Sequence, residues 1–330
     1  MRILHSSDQV TRFIGIDVAS RSFVAAVDGR RPRSFSMDET GVQELLDWLA
    51  GKDSADLPVA VMEHTGAYSR CLAAMLAEHG IDSVLVDPRR VRDYACSQGI
   101  RTKTDNVDAR AILSFGQHFK PVNRVQRSMA EQQLSVLLGQ RSLLVRQRAM
   151  LKRQLASVTM LPGNLEAGAA AMLSVQSTLD ASIAELDRLI DCLILADERL
   201  SKAYAILMSI PGIGRVNAAM LCARLSVIED CSAAELTALV GLSPKHRQSG
   251  NMQGRSRIDK QGWSGLRRTL YMSALAAVRS DDTLAEFRQR LIDRGKPKIL
   301  AAVAVARKLL VISHALIRKQ EMYVSQPKAA

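Results

Sequence analysis

The first 120 residues contain two short apolar segments, each with an acidic residue at or near its C-terminal end. These segments limit the folds that this part of the chain can adopt. Phe13–Val18 contains Asp17, and Val59–Glu63 ends in Glu63. The surrounding pattern predicts three more strands, at 22–27, 33–37 and 82–86. It also predicts three helices, at 41–50, at 68–79 and from Pro88 onward. Because open α/β sheets place their sites at the carboxyl ends of strands, Asp17 and Glu63 are expected to reach the same edge.

A second pair of acids opens a predicted helix after Gly99. Asp105 and Asp108 lie three residues apart, on one face of its first turn. Carboxylates this close repel each other unless a cation lies between them, and oxygen ligands suit Mg²⁺ or Mn²⁺. The alternative is that Asp105 is the N-cap and Asp108 a first-turn acid favoured by the helix dipole. Asp17 and Glu63 have similar alternatives, as a strand-end turn residue and as an exposed or capping acid.

The order of the elements is β-β-β-α-β-α-β-α, with acids on the first strand, the fourth strand and a later helix. This order predicts an α/β domain of the RNase H-like (RuvC-like) nuclease fold. Acid sets that bind divalent ions typically serve phosphoryl transfer, so a nuclease-type chemistry is expected.

The net charge of +12 is confined to the last third of the chain. Residues 201–330 hold 21 Lys and Arg against 9 Asp and Glu, whereas the first 200 residues are neutral. An acid-bearing front and a basic back predict a catalytic part joined to a nucleic-acid-binding part. The alternative is a basic surface that serves solubility alone. Aromatic residues make up only 4% of the chain, which argues against base stacking as the main binding mode.

Cysteine spacing and hydropathy favour a cytoplasmic protein. The five cysteines are scattered and form no CxxC pair, as is typical of reduced thiols. Residues 1–10 do not resemble a signal peptide, and the apolar run at 299–312 is interrupted by Arg307 and Lys308. No membrane partner is therefore expected.

The middle of the chain predicts two long amphipathic helices. Leucine or valine recurs every seven residues at 137, 144, 151 and 158, and leucine recurs at 179, 186 and 193. This spacing is typical of a coiled coil, either an antiparallel pair or a dimer seam. Arg141 and Arg148 fall on core-like positions of the first helix, so the seam is imperfect.

A Pro-Gly-x-Gly sequence at 211–214 separates two further predicted helices. Gly212 and Gly214 would let backbone amides approach a phosphate, as in a helix-hairpin-helix element. A plain turn between helices is the alternative.

The densest basic segment, residues 242–257, mixes cations with turn-forming residues and predicts a surface loop. Its cations and those that follow are predicted to contact nucleic-acid phosphates: Lys245, Arg247, Arg255, Arg257, Lys260, Arg267 and Arg268. Ser249 lies in the same loop and would be a nucleophile only with help from a base or a metal. Composition alone does not separate Ser249 from Ser256, and phosphate binding is the simpler interpretation. Helices follow at 265–278 and 298–318, and 320–330 is expected to fray.

Several of these segments resemble motifs of the DEDD transposases, a family of Piv-related invertases and insertion-sequence transposases also described as bridge-RNA-guided recombinases. The resembling acid motifs are residues 13–17, 63–68 and 103–110. In the second half the matches are 210–214, 241–244, Ser249–Gly250, Gly254, Lys260, Gly262, 266–268 and 270–271. The resemblance covers nearly the whole chain without a departure in the acids. Gln248 stands where some members carry an acidic residue.

The resemblance implies three domains: a metal-dependent RuvC-like domain at 1–120, a coiled-coil arm at 121–200, and a basic, mainly α-helical transposase domain at 201–330. Asp17, Glu63, Asp105 and Asp108 would hold Mg²⁺, with Mn²⁺ as a substitute. Ser249 would attack a DNA phosphodiester and remain attached as a phosphoserine until strand exchange reverses the step.

The partners that the resemblance implies are donor DNA, target DNA and a noncoding bridge RNA that pairs with both. It also implies a homo-oligomer, a dimer that becomes a tetramer in the synaptic complex, in which acids of one protomer meet the serine of another. A bacterial protein associated with the nucleoid is the further expectation.

Two other functions fit the same residues. In a structure-selective nuclease of the junction-resolvase type, the acids would activate water and Ser249 would only bind phosphate. In a non-catalytic nucleic-acid scaffold, the front domain would bind no divalent ion.

Overall fold

The computed structural model describes residues 12–50, 57–100, 102, 104–121, 127–158, 166–245, 248–249, 252–253, 257–259 and 261–325. The chain divides into two compact units, residues 1–124 and 125–330. Each unit has its own hydrophobic core. The predicted division into three domains stays a prediction.

The first unit is built on a five-stranded sheet in the order β3-β2-β1-β4-β5. Its strands are β1 (Phe13–Val18), β2 (Ser22–Ala26), β3 (Arg33–Ser36), β4 (Val59–Glu63) and β5 (Ser83–Val86). β1 pairs antiparallel with β2 and parallel with β4, and β4 pairs parallel with β5. The expected mixed α/β sheet is therefore confirmed, with β1 at its centre.

Four helices cover the two faces of this sheet: α1 (Glu39–Ala50), α2 (Ala67–Glu78), α3 (Pro88–Ser97) and α4 (Asp105–Phe119). Ile14 and Ile16 point into the core that α1 and α2 cover, whereas Phe13 belongs to the core under α3 and α4. This split follows from the two-residue period of a strand, which sends alternate side chains to opposite faces. Asp17 shares the alternation of Phe13 and so lies on the α4 face.

Gly15 lets α4 rest directly on β1. A Cβ atom at this position would lie 2.2 Å from the Leu113 backbone nitrogen and 2.3 Å from the Ala109 carbonyl oxygen. Farther along the helix, Gly116 lies beside Phe13. Since α4 advances from Ala109 to Gly116 while β1 recedes from Gly15 to Phe13, the helix runs antiparallel to the strand. Its first turn therefore lies toward the Asp17 end.

The second unit begins with two long helices that pack on each other, α5 (Met129–Val158) and α6 (Glu166–Ala196). Arg141 forms a two-bond ion pair with Asp187, at 2.5 and 3.2 Å, and Arg148 Nη1 lies 2.7 Å from Asp180 Oδ1. A seven-residue step forward on α5 matches a seven-residue step backward on α6, so the helices are antiparallel. The two arginines that interrupt the apolar repeat are thus neutralised across the pair. The hydrogen bond from Arg148 lowers the pKa of Asp180.

In the described part of the second unit, seven further helices surround one core: α7 (Glu198–Met208), α8 (Arg215–Cys222), α9 (Leu225–Asp230), α10 (Ala233–Val240), α11 (Ser264–Ser280), α12 (Asp282–Asp293) and α13 (Lys298–Lys319). By length and composition α13 is the one described helix that could cross a membrane. Its side chains at Ala301, Val305 and Leu309 are fully buried, and it packs on α7, α10, α11 and α12. In this structure α13 is therefore a core helix.

The basic segment that was expected to be a loop contains paired strands instead. β6 (Pro244–Lys245) pairs antiparallel with β9 (Arg257–Ile258), and β7 (Gln248–Ser249) pairs antiparallel with β8 (Met252–Gln253). The loop prediction is wrong here because two-residue polar strands give no apolar period. We call these four strands the basic ribbon.

The prediction of a frayed tail from residue 320 is wrong as far as Tyr323. The Tyr323 hydroxyl donates to Asp281 Oδ2 at 2.7 Å, and its amide donates to Ser209 Oγ at 2.8 Å. Burial and the hydrogen bond to Asp281 raise the pKa of Tyr323 to about 12, so this hydroxyl stays a donor over the physiological range. Residues 326–330 of the predicted tail lie outside the described residues.

Candidate active site

Asp17 and Glu63 occupy neighbouring positions on the two central parallel strands. Ile16 pairs with Met62, and the next residue on each strand is one of the two acids. Parallel strands lie about 4.8 Å apart, so the two acids sit side by side at the carboxyl ends of β1 and β4. Both are half-buried. The sequence-based expectation that they reach one edge of the sheet is confirmed.

The other two acids lie in the first turn of α4. Asp105 is exposed and Asp108 is half-buried. The N-cap of this helix is Thr104, whose hydroxyl accepts a hydrogen bond from the Val107 amide at 3.4 Å. The alternative that Asp105 is the N-cap is therefore wrong, and Asp105 does not serve the helix in that way. Sequence reasoning missed Thr104, although threonine before a helix is a standard cap signal.

The backbone brings the elements that carry these acids together. β1 and β4 present Asp17 and Glu63 on the α4 face of the sheet, and the antiparallel course of α4 directs Asp105 and Asp108 toward the same end. The side chains do not form a ready-made cage, because no three His, Cys, Asp or Glu side chains among the described residues are grouped closely enough to hold a metal ion. The donor set itself consists only of carboxylates, which suit a hard divalent cation such as Mg²⁺.

Ser249 lies on the basic ribbon, next to its tip. Its backbone pairs with Met252, so only two residues of the chain separate the paired positions. Backbone pairing likewise fixes Lys245 and Arg257 on β6 and β9, while Arg247, Arg255 and Lys260 fall outside the described residues. The backbone of Ser249 is therefore held by strand pairing, whereas the sequence predicted an unpaired loop.

Arg267 and Arg268, two predicted phosphate contacts, differ in their surroundings. Arg267 Nη1 donates to the carbonyl oxygens of Val240, at 2.8 Å, and Gln261, at 3.3 Å. Val240 is the last residue of α10, so Arg267 satisfies a helix carbonyl that has no partner within the helix. Arg268 is exposed. Arg267 therefore has a structural task, whereas Arg268 faces solvent where a phosphate could reach it.

The two glycines of the predicted hairpin also differ. A Cβ atom at Gly212 would lie 2.4 Å from the Ser273 carbonyl oxygen and 2.6 Å from the Ala277 nitrogen, so α11 packs directly on this glycine. Gly212 also has a positive φ of 80°, which glycine adopts without strain. Gly214 is exposed, with open space where a Cβ would be, and is the N-cap of α8. Packing explains Gly212, and nucleic-acid contact by either glycine stays a prediction.

A mixed sheet with acids at the ends of two central strands, and more acids on a helix laid across them, is compatible with an RNase H-like domain of the DEDD class. The IS110 DEDD transposase family, described as "Transposase", matches residues 14–161. The "Transposase IS116/IS110/IS902 family" matches residues 204–289.

Curated relatives agree with both matches. The "Pilin gene-inverting protein" of Moraxella lacunata is 31% identical over 321 residues, which cover 94% of this chain and 97% of the relative. The protein of the same description from Moraxella bovis is 30% identical over the same shares. A "Probable family 20 transposase" of Pseudomonas aeruginosa is 30% identical over 151 residues, 44% of this chain and 43% of that protein. The chain belongs to the IS110 family of insertion-sequence transposases and DNA invertases, and it is a DNA-processing enzyme.

Proposed function

We propose that this chain cuts and rejoins DNA through a divalent ion held by Asp17, Glu63, Asp105 and Asp108 and through a covalent bond to Ser249. The observation that supports this proposal is that β1, β4 and the first turn of α4, the elements that carry these acids, meet at one end of one sheet face. A protein with only structural acids would not need four carboxylates there, since such charges repel each other.

The carboxylates would be the ligands of Mg²⁺, or of Mn²⁺ in its place. When bound, the ion would neutralise charge on the scissile phosphate and assist loss of the proton from the attacking hydroxyl. Asp17 and Glu63 come from rigid central strands, whereas Asp105 and Asp108 come from the start of a helix. Thr104 fixes that start, so the helix cap sets the position of two of the four ligands.

The serine step balances without an external energy source. Ser249 Oγ forms a bond to phosphorus, the bond from phosphorus to a sugar oxygen breaks, and the proton of Ser249 ends on the sugar hydroxyl that leaves. A sugar hydroxyl of the second DNA then attacks the phosphoserine and releases Ser249. The number of phosphodiester bonds is conserved, so exchange needs no ATP. Cations of the basic ribbon would offset the phosphate charge.

A homo-oligomer is supported by a second apolar stripe on α5. Met129, Val136, Leu143 and Met150 recur at seven-residue intervals and are 69, 48, 48 and 62% exposed. The α5 side chains that face α6 lie on other positions of the same heptad. A seven-residue apolar repeat left exposed is typical of a further helix contact. We propose that this stripe contacts another protomer, first in a dimer and then in a synaptic tetramer.

The proposed partners are donor and target DNA and a noncoding bridge RNA that pairs with both. We retain the three proposed functional parts: the catalytic domain at 1–120, the coiled-coil arm at 121–200 and the serine-bearing domain at 201–330. Free cysteines, three exposed and two buried, support a reducing bacterial cytoplasm as the site of action.

The experiment that tests the proposal is a search for a protein–DNA adduct. Full-length protein is incubated with its element-end DNA, any copurifying RNA and Mg²⁺, and the products are run on an SDS gel. The wild type and the matched control Ser256→Ala are expected to form an adduct that phosphodiesterase trims to phosphoserine. Ser249→Ala is expected to form none. If Ser249→Ala still cleaves DNA, the serine mechanism is wrong, and hydrolysed ends without rejoining would point to the nuclease that uses metal-activated water.

A further inference from the structure

The chain has few aromatic residues, yet several of them meet at one place on the first unit. Of six Phe, five Tyr and two Trp in the whole sequence, three lie together on α3 and α4 with a histidine and an arginine. We call this group the aromatic platform, and its members are Arg90, Tyr94, Phe115, His118 and Phe119. The low aromatic content of the whole chain argues against base stacking as the main binding mode. It does not argue against stacking at this one cluster, where three of the aromatic side chains lie together.

The rings of the platform contact one another in a connected cluster of tilted and edge-to-face pairs. The Tyr94 ring lies 5.6 Å from the His118 ring at a tilt of 32°, and the His118 ring lies 4.8 Å from the Phe119 ring, edge to face. The Phe115 and Phe119 centroids are 4.7 Å apart. The Arg90 guanidinium lies over both phenylalanines, at 5.7 and 5.8 Å from their centroids. Arg90 is therefore within cation–π distance of both phenylalanines.

The inner side of the platform is fixed and the outer side is open. Phe115 is 1% exposed and belongs to the core under α3 and α4, and the Tyr94 hydroxyl is hydrogen-bonded to Ser114 Oγ at 2.9 Å. His118 and Arg90 are exposed, while Tyr94 and Phe119 are half-buried. A ligand would therefore meet rings whose orientation is already set, which reduces the entropy lost on binding.

The charge around the platform is positive although the first 120 residues are close to neutral. Helix α3 carries exposed Arg89, Arg90 and Arg92 against exposed Asp93 and its N-cap, Asp87. On α4, Gln117 donates to Asp28 Oδ2 at 2.6 Å, so the excess of cations is small. Lys120 follows Phe119 directly and is the exposed C-cap of α4. Cations beside aromatic rings are the combination that binds the phosphates and bases of a single nucleic-acid strand.

We propose that the aromatic platform binds an unpaired nucleobase of a single strand, DNA or RNA, with the flanking phosphates against Arg90 and its neighbours. Stacking on ring faces does not select a base, so this contact would be independent of sequence. The inference holds whichever chemistry the acids perform.

The platform and the acids lie at opposite ends of α4, so the length of this helix predicts the distance between the bound base and the acids. From Asp105 to His118 is 13 residues, or about 20 Å at 1.5 Å per residue of helix. A stacked strand advances about 3.4 Å per nucleotide, so the bound base would lie about six nucleotides from a phosphate at the acids.

The first test is a binding titration in EDTA, where no strand is cut. Full-length protein is titrated into a fluorescein-labelled 20-nucleotide oligothymidylate and, separately, into a duplex of equal length. His118→Ala removes an exposed ring, and Phe119→Leu removes a second ring while keeping apolar volume. Each is expected to weaken single-strand binding about tenfold, the effect typical of one lost stacking partner, with little change for the duplex. Gln117→Ala, which shortens an exposed uncharged side chain on the same helix, is the matched control and should bind as the wild type does.

The second test uses the wild-type protein and so does not depend on the folding of a variant. Oligothymidylate that contains one 5-iodouracil is irradiated with the protein, and the crosslinked peptide is identified by mass spectrometry. Crosslinks at Tyr94, His118 or Phe119 are expected. Unchanged strand affinity in both ring variants, or crosslinks that avoid α3 and α4, would show that the platform serves packing only. Neither test involves cleavage. A negative result in either test would therefore not contradict the serine mechanism, and a failure of the serine mechanism would not contradict strand binding by the platform.

Discussion

The contact between Gly15 and α4 predicts a large effect from the smallest possible substitution. In Gly15→Ala the new Cβ would lie 2.2 Å from the Leu113 nitrogen, whereas ordinary contacts begin near 3.4 Å. This nitrogen and the Ala109 carbonyl oxygen, which would lie 2.3 Å away, both belong to the helix backbone. The contact therefore cannot be relieved by rotation of a side chain. We expect α4 to move outward by about 1 Å and the first unit to lose about 2–3 kcal/mol, toward the upper end for overpacked cores. A displacement of this size also moves Asp105 and Asp108, which would lower DNA cleavage about 100-fold.

The assay is hydrogen exchange followed by mass spectrometry on the full-length protein, because two units make a single melting temperature ambiguous. Peptides from β1 and α4 should lose protection in Gly15→Ala, while peptides from α7 to α13 should not. Gly139→Ala is the matched control, since a Cβ there meets nothing within 4 Å and alanine favours a helix by about 1 kcal/mol. If β1 and α4 in Gly15→Ala kept wild-type protection and activity, the direct packing of α4 on β1 would be refuted.

Three further predictions concern the Thr104 cap, the two neighbouring arginines of α11 and the exposed stripe on α5. Thr104→Ala should weaken the start of α4 by about 1 kcal/mol, seen as faster exchange in its first turn, and Thr104→Ser should restore it. Arg267→Ala should speed hydrogen exchange at the end of α10 by removing a charged donor worth about 1.5 kcal/mol or more. Arg268→Ala should leave that exchange unchanged and weaken DNA binding. Leu143→Glu should reduce the mass measured by light scattering toward that of a monomer, and an unchanged mass would exclude the α5 stripe as an interface.

Much of the first unit could be predicted because strong local patterns define it. Strands such as Val59–Glu63 are apolar and short, and the helices between them keep a clear period. The four acids could be proposed for the same reason, since each lies at or near the end of a predictable element. What the sequence did not reveal was the contact that orients α4, because the approach of Leu113 to Gly15 joins residues nearly 100 positions apart.

The second unit shows where local patterns fail. Arg141 and Arg148 looked like faults in an apolar seam, and only the antiparallel partner helix supplies the aspartates that neutralise them. The ribbon around Ser249 has strands of two residues, too short and polar to give a period. Tyr323 is fixed by Asp281 and Ser209, which are distant in sequence. Such long-range hydrogen bonds leave no trace in the residues around either partner.

The central claim is that carboxylates from β1, β4 and α4 share one divalent ion. Isothermal titration of Mn²⁺ into the full-length protein tests it most directly. Wild type and the exposed-acid control Asp93→Asn should show the same saturable site, and Asp17→Asn or Asp105→Asn should each weaken it at least about tenfold. Equal Mn²⁺ affinity in all four proteins would contradict the claim.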